Sequence, residues 1–220
     1  MHKKIIAGLF VVVMVAMLMF TGCSDDDDNG NGNDTTSFAA LDYFPLAVGN
    51  QWIYTDSSRA DTSITEIVGT MEIDGYTTYI MLDDGDSSFF QIHNGAIYVY
   101  VPDFDSSWLM IPATFSIGDS WTSLEIDTTD TSAGYEYHSW FNQTVEVLSS
   151  ETIEVPAGSY NCLKVQFIIE SGMVIDIGDS TIQDITTDTS YTWTAKNVGS
   201  VKEVDSDGEI WELIEFTAGD

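Results

Sequence analysis

The feature that most constrains this chain is a two-residue beat. In "CLKVQFIIE", Leu163, Val165, Phe167 and Ile169 fall on one side of an extended backbone. Lys164, Gln166 and Glu170 fall on the other, with Ile168 the exception. Successive side chains alternate across a strand, so this pattern predicts a strand with one buried face. Past the apolar N-terminal run, no stretch sustains helical spacing. Thr, Ile, Val, Tyr, Trp and Phe fill most segments instead, residue types that suit a pleated, half-buried surface.

Turn dipeptides punctuate the alternating runs. Asp74-Gly75, Asp84-Gly85, Asn94-Gly95 and Asp207-Gly208 each separate apolar or alternating segments. These pairs tolerate positive φ at both central residues and favour two-residue hairpins. "TTYIMLDDGDSSFFQIHNGAIYVYV" therefore reads as strand, turn, strand, turn, strand. Connections this short leave no room for crossover helices, so roughly ten to twelve strands are predicted in an antiparallel meander. Pro102, Pro112 and Pro156 fall at strand ends or bends, where a missing amide is tolerated. The expected architecture is all-β: one strongly curved sheet, a half-barrel or barrel, with a β-sandwich as the alternative.

One phrase occurs twice. "PLAVGNQWIY" (45–54) and "TFSIGDSWTS" (114–123) both place a β-branched residue, Gly, Asn or Asp, a polar residue and Trp in succession. Gly49 and Gly118 permit a backbone turn that Asn50 or Asp119 completes by local hydrogen bonding. Trp52 and Trp121 then start strands and bury large rings; the alternative is a ligand groove lined by both indoles. "TTDTS" also recurs, at 128–132 and 186–190, ahead of "YEYHSWF" and "YTWTA", and is expected in polar loops.

The N-terminus has a different character. Lys3 and Lys4 precede a charge-free run from Ile5 to Phe20. As a helix that run would span about 24 Å, short for a bilayer core, and it fits a secretory signal better than a permanent span. It ends in "FTGC", with Gly22 directly before Cys23. This resembles the lipobox of bacterial lipoproteins. The resemblance implies cleavage before Cys23, a diacylglyceryl thioether on its sulfur and acylation of its new amine. Phe20 stands where Leu is commoner in that motif. Several acyl chains hold a protein stably on a membrane. Residues 1–22 are thus the expected signal peptide, and residues 23–37 a lipidated cysteine with an acidic tether, "SDDDDNGNGNDTTS", which has nothing apolar to bury. Residues 38–220 form the expected β-domain. Ser24 is compatible with outer-membrane sorting, and the acidic run resembles surface-export signals of Bacteroidetes-type lipoproteins. The expected location is extracytoplasmic, lipid-anchored to the cell envelope.

Loss of residues 1–22 leaves Arg59, Lys164, Lys196 and Lys202 against 36 carboxylates, a net charge of −32. Such a surface repels nucleic acid and anionic headgroups and favours cations or basic partners, including weakly held divalent ions. With Cys23 lipidated, Cys162 has no disulfide partner. A catalytic thiol needs a nearby base, and nothing in the sequence ties His93 or His138 to it, so a packed, inert thiol is expected. "GDS" at Gly85, Gly118 and Gly178 lacks the α/β scaffold of the esterases that use such a block, and reads as turn chemistry. Asp205, Asp207 and Glu209 around Gly208 lack the spacing of a calcium loop and read as a hairpin. The histidines have no ligand-spaced neighbours for a transition metal. No catalytic residue, metal site or cofactor is therefore expected.

Several phrases in the mature chain come in a recognisable order: "YFPLAVGNQWIY", "SIGDSW", "TIEVPAGSYNCLKV" and "WTAKNVGSVKE". Together they resemble secreted bacterial proteins akin to the TapB-like and DUF3108-like families. That resemblance implies a curved antiparallel sheet, similar in shape to the half-barrels of LolA-type lipoprotein carriers, and no catalytic residues. The resulting expectation is a non-enzymatic binding or structural lipoprotein contacting an envelope protein or glycan. Two alternatives stand beside it. One is a carrier of an apolar ligand, its cavity lined by Trp108, Phe115, Trp140 and Phe141. The other is a polysaccharide hydrolase, supported only by the abundance of carboxylates.

Overall fold

The computed structural model describes residues 36–132, 135–176 and 180–219. The expected signal peptide, Cys23 and nearly all of the tether lie outside the described residues. A short strand, β1 (Ser37–Ala39), leads into a single helical turn, α1 (Ala40–Tyr43). The first meander follows: β2 (Gln51–Asp56), β3 (Thr62–Ile73), β4 (Tyr76–Asp83), β5 (Asp86–His93), β6 (Ala96–Val101) and β7 (Ser106–Ile111). After β8 (Thr114–Ser116), which pairs with β1, comes a second: β9 (Ser120–Ser132), β10 (Tyr135–Val155), β11 (Gly158–Asp176), β12 (Thr181–Ala195), β13 (Gly199–Val204) and β14 (Ile210–Thr217).

The two meanders form one 12-stranded antiparallel sheet in the order β7-β6-β5-β4-β3-β2-β14-β13-β12-β11-β10-β9. The fold is all-β, as the alternation requires, and the sheet curls until it is nearly closed into a barrel. A backbone ladder between β14 and β2, from Trp211↔Asp56 to Thr217↔Gln51, joins the meanders on one side. On the other side the end strands β7 and β9 meet through side chains. The indole Nε1 of Trp121 donates to the carbonyl of Met110 at 2.8 Å. Farther along, Trp108 of β7 packs on the cluster Leu124, Phe141 and Ile169.

The repeated phrase marks the same turn at the start of each meander. Gly49 and Gly118 hold φ of 91° and 92°. Asn50 N–H donates to the Ala47 carbonyl, and Asp119 N–H to that of Ser116, both at 3.1 Å. Each turn then docks on the neighbouring strand by a matched pair of bonds. Gly49 N–H donates to Ile67 O (2.7 Å) and Ile67 N–H to Asn50 O (2.9 Å). Gly118 N–H donates to Val147 O (2.7 Å) and Val147 N–H to Asp119 O (3.0 Å). A bulge follows each docking point, at Ile67/Gly69 and at Val147/Ser149. Both indoles turn inward and both bond a carbonyl, Trp52 that of Val198.

The hairpins follow turn chemistry. Asp74-Gly75, Asp84-Gly85 and Asn94-Gly95 all show paired positive φ, the type I′ geometry. At Asp207-Gly208 only Gly208 is in that region. There the longer link is organised by Asp205, whose Oδ1 accepts the N–H groups of Asp207 (2.9 Å) and Glu209 (2.8 Å). The "TTDTS" segments depart from expectation: they are strand, in β9 and in β12, not loop. Thr is a good strand former, and each segment finds a ladder partner, residues 135–139 and 167–171. They lengthen β9 to β12 into a four-stranded sheet that projects past the barrel with both faces solvated; residues 181–188 are all exposed.

A barrel of many strands encloses more space than its own side chains readily fill. Here the N-terminal segment completes the core. Phe44 is buried against Phe90 (ring centroids 5.1 Å apart), and Tyr43 and Phe38 pack on Phe115. Phe115 in turn meets Trp121, so one aromatic chain links the plug to the seam between β7 and β9. Lys196–Asp42 (3.3 Å) and the Asn197 N–H to Asp42 O bond (2.8 Å) fasten α1 to the β12–β13 turn.

Candidate functional site

Among the described residues, three places where polar or aromatic groups gather bear on function. The first is the barrel interior beside the seam. Met110, Phe115, Trp121, Val145 and Phe167 line a cavity of about 20 Å³ there. That is room for a water molecule and not for an acyl chain. Thr194 also lines it, and its buried hydroxyl oxygen has no hydrogen-bond partner among the described residues.

The second lies at the barrel mouth opposite the plug. Glu203 of β13 points inward at 6% exposure, and its Oε2 has no hydrogen-bond partner among the described residues. Burial pushes its carboxyl well above the usual range, and the negative charges of Asp205 and Asp83 add to this. Burial likewise raises Asp83, although hydroxyls of Thr65 (2.9 Å) and Ser63 (3.1 Å) donate to it and pull the other way. Burial, then Glu203 and Asp83, push the Tyr54 phenol well up; its hydroxyl donates to Ser200 O at 2.9 Å.

The third is the outer face of the projecting sheet. Odd-numbered residues of β10 (Phe141, Val145, Val147) point into the core, so even-numbered ones point out. Across the four strands, Asp127, Trp140, Gly172 and Ile185 form one row. The six-membered ring of the indole sits over Gly172, in the space a Cβ would take. His138, in the next row, bonds Asp127 (Nε2 to Oδ1, 2.9 Å), and its ring lies 5.2 Å from the indole.

The four aromatics grouped by sequence are thus divided. Phe115 lines the cavity, and Trp108 and Phe141 pack together on the inward face. Trp140 lies on the opposite face, because it neighbours Phe141 in a strand and neighbours point to opposite sides. Cys162 is buried, with its thiol donating to Tyr160 O at 3.5 Å. His93 bonds Gln91 and is sandwiched between the rings of Tyr76 and Tyr98. His93 and His138 are thus engaged on separate parts of the sheet. Gly85 and Gly118 occupy turns; Gly178 lies outside the described residues. Among the described residues no group of three or more His, Cys, Asp or Glu is placed to hold a metal ion. The buried Glu203 escaped sequence reading because "VKEV" looks like any alternating strand. It shares the inward face of β13 with the fully buried Val201.

A nearly closed, filled antiparallel barrel with a projecting sheet defines the class of this protein. The sequence model of the DUF3108-like family matches residues 103–209, just under half of the chain. No protein of curated function matches the sequence. Two crystal structures are similar at low identity. A candidate lipoprotein from Parabacteroides distasonis shows 15% identity and a TM-score of 0.41, over 79% of this chain and 97% of its own. A candidate exported protein with a YmcC-like fold from Bacteroides fragilis shows 15% and 0.38, over 80% and 98%.

Proposed function

We propose that this chain is an extracytoplasmic lipoprotein, anchored through Cys23 to the outer membrane, that binds an envelope component and performs no catalysis. The reading rests on one structural observation: core side chains fill the described barrel interior around the seam, and the cavity they leave there is about 20 Å³. That argues against an acyl-chain carrier and moves any recognition to the exterior. The lipobox-like "FTGC" and the apolar segment before it support the anchor. The acidic tether would hold the barrel off an anionic surface. A net charge of −32 after processing argues against nucleic-acid partners and for neutral or basic ones, with divalent cations loosely bound at most.

Labelling cells with a radioactive fatty acid tests the anchor. Wild-type protein should take up label and follow the outer-membrane fraction, and Cys23→Ala should do neither. Label retained by Cys23→Ala would overturn the assignment. Organic extraction of the purified protein should release no stoichiometric lipid beyond the anchor; a second bound lipid would restore the carrier reading.

A further inference from the structure

We propose that the outer face of the projecting sheet is a saccharide-binding platform, with Trp140 as its stacking surface. This rests on the binding reading above and gives it a ligand class: oligosaccharides of neutral or amino sugars.

Gly172 lies beneath the indole of Trp140. Any other residue there would put a Cβ against Cζ2, Cη2 and Cε2 of Trp140. Glycine lets the indole lean across β11 and cover the strand, which places a half-buried indole on the outer face of the sheet. Ile185, at 56% exposure, continues the apolar strip on β12. The negative face of an aromatic ring attracts polarised C–H groups and ammonium groups, the two features an amino-sugar ring presents.

The rim supplies complementary polar groups. Asp127 stands directly beside Trp140 in register with its Oδ1 held by His138, which leaves Oδ2 for a ligand, and Glu125 and Glu170 flank it one row away, beside Asn142. Carboxylates accept hydrogen bonds from hydroxyls or from an ammonium group, and such charge-assisted bonds are the stronger kind. Arg59, Lys196 and Lys202 lie off this row of strands, and Lys164, though outward on β11 like Gly172, stands eight positions away along the strand. Lys164 sits over the rings of Tyr191 and Trp193, Lys202 pairs with Glu212, and Lys196 with Asp42. The face therefore disfavours uronic acids, sulfated sugars and other anionic polymers.

The test is a titration of the full-length mature protein in detergent with three probes: glucosamine oligomers, cellotetraose and an oligoalginate. Calorimetry and indole fluorescence report binding. Glucosamine oligomers, cellotetraose or both should bind with a fluorescence change, and oligoalginate should not. Trp140→Ala should weaken binding about tenfold or more, the affinity of one aromatic contact. Gly172→Ala keeps the indole but lifts it, and should also weaken binding. Near-ultraviolet circular dichroism of both variants checks that the barrel is intact. Absence of binding by every probe, equal affinity in wild type and Trp140→Ala, or preference for oligoalginate would each overturn the proposal. So would capture of a basic peptide by this face in place of the sugars, which leaves the binding reading standing. Release of reducing ends from a bound sugar would instead sink the non-enzymatic reading, so the two failures are distinguishable.

Discussion

The indole N–H of Trp121 donates to the Met110 carbonyl at 2.8 Å across the seam where the sheet's two end strands meet. That bond stands where a backbone ladder would otherwise run. Trp121→Phe keeps an aromatic ring but leaves a buried carbonyl unpaired. It should lower unfolding free energy by about 1–3 kcal/mol. Denaturant titration measures the loss, and hydrogen exchange should speed up first in residues 106–111. Unchanged exchange there would mean that packing alone holds the seam.

Gly118 and Gly49 share one backbone geometry but differ in surroundings. A Cβ at Gly118 meets nothing within 4 Å, whereas one at Gly49 would sit 3.3 Å from the Gly219 Cα. Gly118→Ala should therefore report backbone strain alone, about 1–2 kcal/mol. Gly49→Ala should cost more, because the C-terminal segment must also move. Equal losses in chemical denaturation would contradict the crowding argument.

Phe44 carries the N-terminal plug into the core. Phe44→Ala empties a buried site against Phe90 and should cost about 3–5 kcal/mol. A loss under about 1 kcal/mol, the range of ordinary surface changes, would show that the barrel does not need its plug.

Glu203 makes stability depend on pH. Its carboxyl is raised above the ordinary 4.5 in the folded protein, so the folded state holds a proton that the unfolded chain has released. The stabilisation is complete below that ordinary value and is lost as pH climbs through the folded-state value. Asp83 is raised too and adds a slope of the same sign. Glu203→Gln should thus be more stable than wild type at neutral pH and show a shallower decline above pH 4.5. Thermal unfolding across that range checks it. A wild-type profile that rises with pH there would refute the assignment.

Much of the fold was legible in short-range pattern. The beat of Leu163, Val165, Phe167 and Ile169 set their shared face, and the Asp-Gly and Asn-Gly pairs set three hairpins. Those features depend on neighbours two or three positions away, so local sequence carries them. The Asp207-Gly208 link forms the expected hairpin between β13 and β14, but its turn is longer than the dipeptide because Asp205, outside it, holds the backbone. The polarity of the "TTDTS" segments suggests a loop, whereas ladder partners on β10 and β11 make them strand. The candidate site was less legible still. Parity alone separates Trp140 from Phe141, but that Trp140 covers Gly172 follows from the register between β10 and β11, thirty-odd residues apart.

The sequence by itself determined the all-β class, the inward and outward faces, and two identical turns before two tryptophans. It did so because period, φ preference and side-chain size act over a few residues. Tertiary structure alone decided that the sheet curls until Trp121 reaches Met110, that residues near Phe44 fill the interior, and that Glu203 loses its water. Each of these depends on which distant strands become neighbours, and the twist of the whole sheet fixes that.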